Sequence, residues 1–205
     1  MMDRRFLLVS AAALALGARP HAALAADPEA AKTFVRSLAN EAIQLMAAKG
    51  AGPERIQKFR ELFKRGFDVE AIGRFVLGRY WREATEAEQR EYLKLFEDLI
   101  VATYAGRFSE YSGETLTVLD GRPDEDRFIL VTSQVNRSTG NPPIRLDWRI
   151  VEKDGSFKIV DVVVEAVSMS VTQRSEFASV IQRGGGKVQS LIVALRDKTK
   201  SLQAR

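Results

Sequence analysis

The sequence predicts an α+β fold: a curved four-stranded antiparallel sheet covered by helices, roll-like, with helices added before the sheet and two more after it. Three observations carry this. Apolar residues recur with helical period over roughly the first half of the chain; the period drops to two between residues 114 and 166; helical period then returns to the end. The strand segments follow one another through short, turn-rich links, which is the pattern of antiparallel pairing, and the helices come in blocks instead of alternating with strands.

The elements follow in order. "MMDRR" is a basic start, "FLLVSAAALALGA" is an apolar run of 13 residues, and "ALA" at 23–25 completes the layout of a cleaved export signal over residues 1–25. Thirteen helical residues rise only ~20 Å against a hydrocarbon core of ~30 Å, too short to span it. Arg4-Arg5 leaves the general and the twin-arginine export routes both open. Cutting after Ala25 leaves 180 of 205 residues (26–205), the size of one domain with a substantial core. The cut removes Arg4, Arg5, Arg19 and Asp3. Lys+Arg falls from 31 to 28, Asp+Glu from 27 to 26, and the net charge from +4 to +2. Acids and bases are interleaved in the remainder, unlike the clustered basic face of a nucleic-acid binder.

Asp27-Pro28 is the N-cap and first residue of a helix with Phe34, Val35, Leu38, Ala42, Leu45 and Met46 on one stripe, ended by Gly50. A second helix after Pro53 turns Ile56, Phe59, Leu62 and Phe63 inward. A third, from about Asp68 to Gly78, turns in Val69, Ile72, Phe75 and Val76. "RYWREATEAEQ" is a connector in which Thr85 and Glu88 have capping-box spacing. They open a long apolar helix through Leu93, Phe96, Leu99, Ile100, Tyr104, Phe108 and Tyr111. "ETLTVL", "RFILVTSQV", "IRLDWRIV" and "FKIVDVVVEA" are the four strands, with "GRPDED" and "RSTGNPP" as links and Asp154-Gly155 as a tight hairpin turn. Helices at about 171–182 and 187–202, split by "GGG", close the chain.

Two absences exclude much enzymology. The one histidine, His21, leaves with the signal, and there is no cysteine. The mature chain therefore cannot build a Ser-His-Asp triad, a Cys-His pair, a His/Cys zinc site or a disulfide. "GGGK" at 184–187 fails the phosphate-loop spacing, since Ile181 and Val188 stand where Gly and Ser/Thr are needed; it is a helix break. "DED" at 124–126 is a solvated turn between strands, so no metal and no cofactor is expected. Two readings of Arg174 stand: an ion pair with Glu165 or Glu176 that pins helix to sheet, or a cation at a pocket mouth facing an anionic head group.

What remains is an excess of apolar surface. The helix at 93–111, the even face of 144–150, both faces of 159–164, and Met169 exceed what two packed layers need. Strands buried on both faces belong to parallel sheets coated by helices on either side, and this sheet is antiparallel.

"FDVEAIGRFVLGRYWREATEAEQREYLKLFEDLIVATYAGRFSEY" (67–111) and "DVVVEAVSMSVTQRSEF" (161–177) resemble the MlaC / toluene-tolerance family, to which a hopanoid-associated subgroup, HpnM, also belongs. The sharpest pieces are Leu77-Gly78-Arg79-Tyr80-Trp81, Thr103-Tyr104-Ala105, and Asp161 to Glu165 leading to Arg174 and Phe177. Two departures stand out: the family usually has Glu-Gly at Glu165-Ala166 and Tyr-Arg at Gln173-Arg174. The resemblance implies a roll related to the nuclear-transport-factor-like fold and a periplasmic protein without catalytic activity. It also implies a shuttle carrying phospholipid, or a hopanoid-related lipid, between an outer-membrane lipoprotein complex and an inner-membrane ABC transporter. Acyl chains would enter between sheet and helices. On that reading the expected lipid contacts are Phe96, Leu99, Ile100, Tyr104 and Phe108; Leu146, Trp148, Ile150, Val162 and Val164; and Val167, Met169, Arg174 and Phe177.

Two rivals compete with that reading. A roll of this kind can host acid–base chemistry in an apolar cavity, with Asp161, in register with Phe157, Ile159 and Val163, as a perturbed carboxylate. Against it, Asp161 can simply pair with Arg149 or another base across the hairpin. The other rival is an adaptor with a closed core.

Overall fold

The computed structural model describes residues 27–48, 52–125, 127–137 and 140–203. The export signal, Gly50 and Asp126 lie outside the described residues. Helix α1 is Pro28–Ala47, and the Asp27 carboxylate accepts from the N–H groups of Glu29 and Ala30 at 3.0 and 3.2 Å, taking up first-turn donors that the helix itself cannot satisfy. Helices α2 (Pro53–Gly66) and α3 (Val69–Leu77) follow. The expected connector contains a short helix of its own, α4 (Tyr80–Glu83), before the Thr85–Glu88 capping box opens α5 (Glu86–Ala105). Helix α5 stops earlier than its apolar pattern suggested: Gly106 ends it, and Phe108–Glu110 form a separate 3₁₀ turn. The inward assignments of Ile56 and Phe75 are corrected, since both side chains are exposed.

The sheet runs in order β1 (Thr115–Asp124), β2 (Phe128–Asn136), β3 (Ile144–Lys153), β4 (Ser156–Val164), each antiparallel to the next. A two-residue strand, β5 (Val167–Ser168), adds a fifth edge to the four expected. Strand β1 extends through Gly121, Arg122 and Pro123, which the sequence placed in a loop. Proline is tolerated there because β1 is an edge strand with one side of its backbone unpaired. Helices α6 (Met169–Arg183) and α7 (Val188–Gln203) complete the chain.

A bulge decides which side chains of β4 face the helices. Ile159 opposes Ile150, but Asp161 opposes Arg149, so Val160 is an extra residue. Past it, Val162 opposes Trp148 and Val164 opposes Leu146. The even face of β3 therefore meets Phe157 and Ile159 before the bulge and Val162 and Val164 after it. This corrects the strict alternation that put Asp161 in step with Phe157 and Ile159.

The apolar interior is divided. One cluster joins α1, α2 and the sheet through Val35, Leu38, Leu62, Ile129, Val131, Ile150 and Ile159. The other joins α3 to α7 through Val76, Tyr92, Leu95, Phe96, Phe177, Ile181, Leu191 and Ile192. Tyr92 is fully buried and donates its hydroxyl to the Gly73 carbonyl at 2.9 Å; burial pushes its phenol far above the usual range.

Polar ties hold the halves together where α2 passes into α3. The Asp68 N–H donates to the Ile159 carbonyl at 3.0 Å, Lys153 Nζ meets the Asp68 carboxylate at 2.8 Å, and Lys158 Nζ donates to the carbonyls of Lys64 and Arg65, at the end of α2. Burial alone would raise the Asp68 carboxyl, but the Lys153 bond and the Ala71 N–H together hold it below the ordinary carboxylate range. Asp147 behaves likewise: burial opposes ionisation, and Arg145 and Thr132 outweigh it.

Two predictions follow from local geometry. The turn between β4 and β5 places both Glu165 (φ 47°) and Ala166 (φ 65°) in the left-handed region, which a side chain disfavours. Ala166→Gly should raise stability by about 0.5–1 kcal/mol, the relief of strain exceeding the added freedom of the unfolded glycine; an unchanged or lowered urea midpoint contradicts this. Asp68 and Asp147 have folded pKa values below their unfolded ones. Their contribution is present above the ordinary aspartate pKa of about 3.9 and is lost as pH falls through the lower folded values. Melting temperature should therefore drop steeply below about pH 4, and Asp68→Asn with Asp147→Asn should flatten that slope while lowering stability at pH 7.

Candidate functional site

Between the two clusters lies a cavity of about 550 Å³, within the range of small-ligand sites. Both clusters contribute walls. Helix α1 supplies Val35, Leu38, Ala39 and Ala42; α2 and the residue after it supply Phe59, Leu62, Phe63 and Phe67; α3 supplies Ile72 and Val76. Phe96, Ile100 and Tyr104 come from α5, and Leu146, Trp148, Val160, Val162 and Val164 from the sheet. Met169 opens α6, where Ser170, Thr172, Gln173 and Glu176, with Asp161 beside them, form the polar part of the lining. Of 24 lining residues, 19 are apolar or aromatic. Tyr104, Thr172 and Glu176 are exposed, which places the mouth between the end of α5 and the start of α6.

Polar atoms in the apolar walls are consumed by the scaffold. Trp148 donates its indole N–H to Ser133 Oγ at 2.8 Å, and that fully buried hydroxyl lies 3.4 Å from the Leu146 carbonyl. The ring therefore lines the cavity without an unpaired donor, which a buried polar group requires. Asp161 is engaged on both oxygens: Oδ1 accepts from the N–H groups of Val162 and Ser170 at 2.9 and 3.0 Å, and Oδ2 from the Ser168 hydroxyl at 2.6 Å. It anchors the N-terminus of α6 to β4. The expected Asp161–Arg149 pairing holds for backbone register alone, since the Arg149 guanidinium meets Asp124 at 2.9 Å and Glu125 at 3.3 Å.

The structure brings eight of the fourteen expected contacts to one cavity: Phe96, Ile100, Tyr104, Leu146, Trp148, Val162, Val164 and Met169. The other six stand elsewhere. Leu99 and Phe177 are packed inside the helical cluster, Phe177 edge-on to Tyr92 and Phe96 with ring centres at 6.2 and 6.3 Å. Ile150 is sealed in the sheet cluster opposite Ile159. Phe108 is buried against Phe59, ring centres 5.3 Å apart, with the Arg55 guanidinium 4.9 Å over its ring. Val167, in β5, is 52% exposed. Arg174 faces out of the cavity, its guanidinium 5.1 Å above the exposed Phe75 ring. A side chain at Gly78 would meet Arg174 Nε at 2.9 Å, so that glycine leaves the arginine its berth.

Both expected partners of Arg174 are occupied: Glu165 accepts from the Arg145 N–H at 2.5 Å and Glu176 from the Gln173 amide at 3.0 Å. Neither the structural ion pair nor the mouth cation describes its placement. The walls from α1, α2 and α3 are what sequence reasoning missed. Their apolar stripes were visible, but a stripe facing a cavity and a stripe facing a core look the same in one dimension.

Among the described residues, no helix is long and apolar enough to cross a membrane, and no cluster of three or more His, Cys, Asp or Glu could hold a metal ion.

The sequence profile of the MlaC protein family matches residues 36–197. The intermembrane phospholipid transport system binding protein MlaC of Haemophilus influenzae is 29% identical over 133 residues, 63% of this chain and 61% of that protein. The toluene tolerance protein ttg2D of Pseudomonas putida is 21% identical over 126 residues, 61% of this chain and 58% of that one. The matches thus span about three fifths of the length of these curated relatives. Among solved structures, a phospholipid-binding protein from Ralstonia solanacearum, in complex with a phospholipid, superposes with a TM-score of 0.72 at 24% identity, over 87% of this chain and 99% of that one. At that identity the likeness establishes the shared fold.

Arg174→Ala should leave binding of an apolar fluorescent probe in the cavity unchanged and lower stability by about 0.5–1 kcal/mol, the worth of an exposed cation–π contact. Lost probe binding with an unchanged melting curve would restore the arginine to the site.

Proposed function

The chain belongs to the MlaC family, and from that premise we propose that it is a periplasmic lipid carrier which encloses acyl chains in the cavity between its sheet and its helices. The observation that carries this is the cavity itself, walled by 19 apolar residues, with its polar residues gathered at the α6 side. That layout suits an amphiphile inserted tail first. The H. influenzae and P. putida relatives carry names of phospholipid transport and toluene tolerance, which supports phospholipid as cargo. Export through the signal at 1–25 puts the mature domain, 26–205, in the periplasm. There it passes lipid between an outer-membrane lipoprotein complex and an inner-membrane ABC transporter.

The energetics suit a carrier. Each methylene withdrawn from water is worth about 0.8 kcal/mol, so a free lipid never leaves a bilayer at a useful rate. A tunnel as apolar as the bilayer makes the exchange nearly neutral in free energy, and cargo can then be handed on. No catalysis belongs to this reading, in which Asp161 anchors the start of α6.

The test is extraction and mass spectrometry of the protein purified from a bacterial host, beside Val162→Trp. Wild type should carry lipid in near-stoichiometric amount. Val162→Trp should fill the cavity, lose the lipid, and remain folded; a filled core would instead be overpacked and lose about 1–3 kcal/mol. Lipid-free wild type, or an unfolded Val162→Trp, contradicts the proposal.

A further inference from the structure

The charges around the cavity mouth bear on which head group it takes. A phosphate held by a protein ordinarily meets Arg or Lys, or the free N–H groups of a helix N-terminus. Neither is on offer here. Among the described residues, no lysine or arginine lines the cavity. Arg174, between the lining residues Gln173 and Glu176 on α6 but outside the lining itself, lies on Phe75 instead, and Arg60, next to the lining Phe59, is held by Glu97 at 2.6 Å and Asp98 at 2.8 Å. The α6 N-terminus does reach the cavity, but two of its first-turn donors are already taken: Ser170 N–H goes to Asp161 and Val171 N–H to Ser168 Oγ at 3.1 Å. The Asp161 carboxylate also offsets the positive end of the helix dipole.

What the polar lining does offer is negative charge and neutral hydrogen-bonding groups. Glu176 is exposed at the mouth and Asp161 is half-buried elsewhere in the same lining, which also holds Thr172, Gln173 and the Tyr104 hydroxyl as neutral groups. A head group with net negative charge would be brought towards two carboxylates with no compensating cation in the lining. A zwitterionic head group can turn its ammonium towards Glu176 and leave its phosphate in solvent.

Resting on the lipid-carrier reading, we infer that this site selects phospholipids whose head group has an ammonium and no net negative charge over anionic phospholipids with the same acyl chains, with Glu176 as the residue that sets the preference.

Delipidated full-length mature protein is equilibrated with detergent-dispersed phosphatidylethanolamine and phosphatidylglycerol, equimolar and with matched chains. It is then re-isolated, and its bound lipid is quantified by mass spectrometry. The expected result is a two- to fivefold enrichment of phosphatidylethanolamine, the scale of one exposed charge interaction. The enrichment should shrink at high salt, fall towards parity in Glu176→Gln and reverse in Glu176→Lys. Because Glu176 is exposed, both variants should fold, and a melting curve verifies it. Equal uptake by wild type, enrichment of phosphatidylglycerol, or a preference untouched by salt and by both variants overturns the inference while leaving lipid carriage intact. Binding of neither lipid overturns both.

Discussion

Everything about this molecule depends on its having two apolar cores where a single domain would ordinarily have one. Apolar surfaces in water close on each other unless something prevents it, because each square ångström left exposed has a cost. Here each cluster satisfies its own inner surface. Phe177 meets Tyr92 and Phe96 edge-on in the helical half, where those two rings stack on each other, while Ile129, Ile150 and Ile159 stack across three strands in the sheet half. The surfaces facing each other across the cavity are second surfaces of residues and elements already anchored. Phe96 shows this directly, packed on Phe177 and also lining the cavity.

The gap is kept open by where the polar ties fall. At the α2–α3 junction, Asp68, Lys153 and Lys158 fasten helix ends to the hairpin of β3 and β4. At the far end of β4, Asp161 and Ser168 fasten the start of α6. The β4 bulge sits between the two, and past it Val162 and Val164 share the face of Trp148 and Leu146, which gives the cavity an apolar wall on the sheet side. Directional bonds at the ends set the spacing; non-directional contacts alone would let the halves collapse.

Much of the fold was legible in the sequence because its signals are local. The Asp27 cap, the Thr85–Glu88 box, the Asp154-Gly155 hairpin with both residues at positive φ, and the period-two strands each depend on neighbours a few positions away. The site was legible only in part. Phe96, Leu146, Trp148, Val162 and Met169 follow from an excess of apolar surface. By contrast, Leu99, Ile150 and Phe177 carry the same pattern and sit in packed cores, because a side chain's chemistry does not say whether its neighbour is another side chain or a void. The bulge at Val160 has no marker in "KIVDVVVE", and the walls from α1 and α2 depend on long-range docking. Arg174 shows a different limit: its charge was plain, but its resting place on Phe75 depends on the space left by Gly78, almost a hundred residues earlier.

The division into two cores also separates the consequences of mutation. Shortening a side chain inside either cluster removes packing that the rest of the fold requires, at about 2–5 kcal/mol for a large aliphatic residue. Shortening one that only faces the gap removes little packing and enlarges a space that already exists, so the fold tolerates it better. The lining is therefore freer to vary than the clusters, and the shape and chemistry of the cavity can change without a change of fold. Gln173, part of the lining, donates its amide to Glu176 at 3.0 Å, so a substitution of that one side chain alters the charge setting of the mouth while both cores stay as they are.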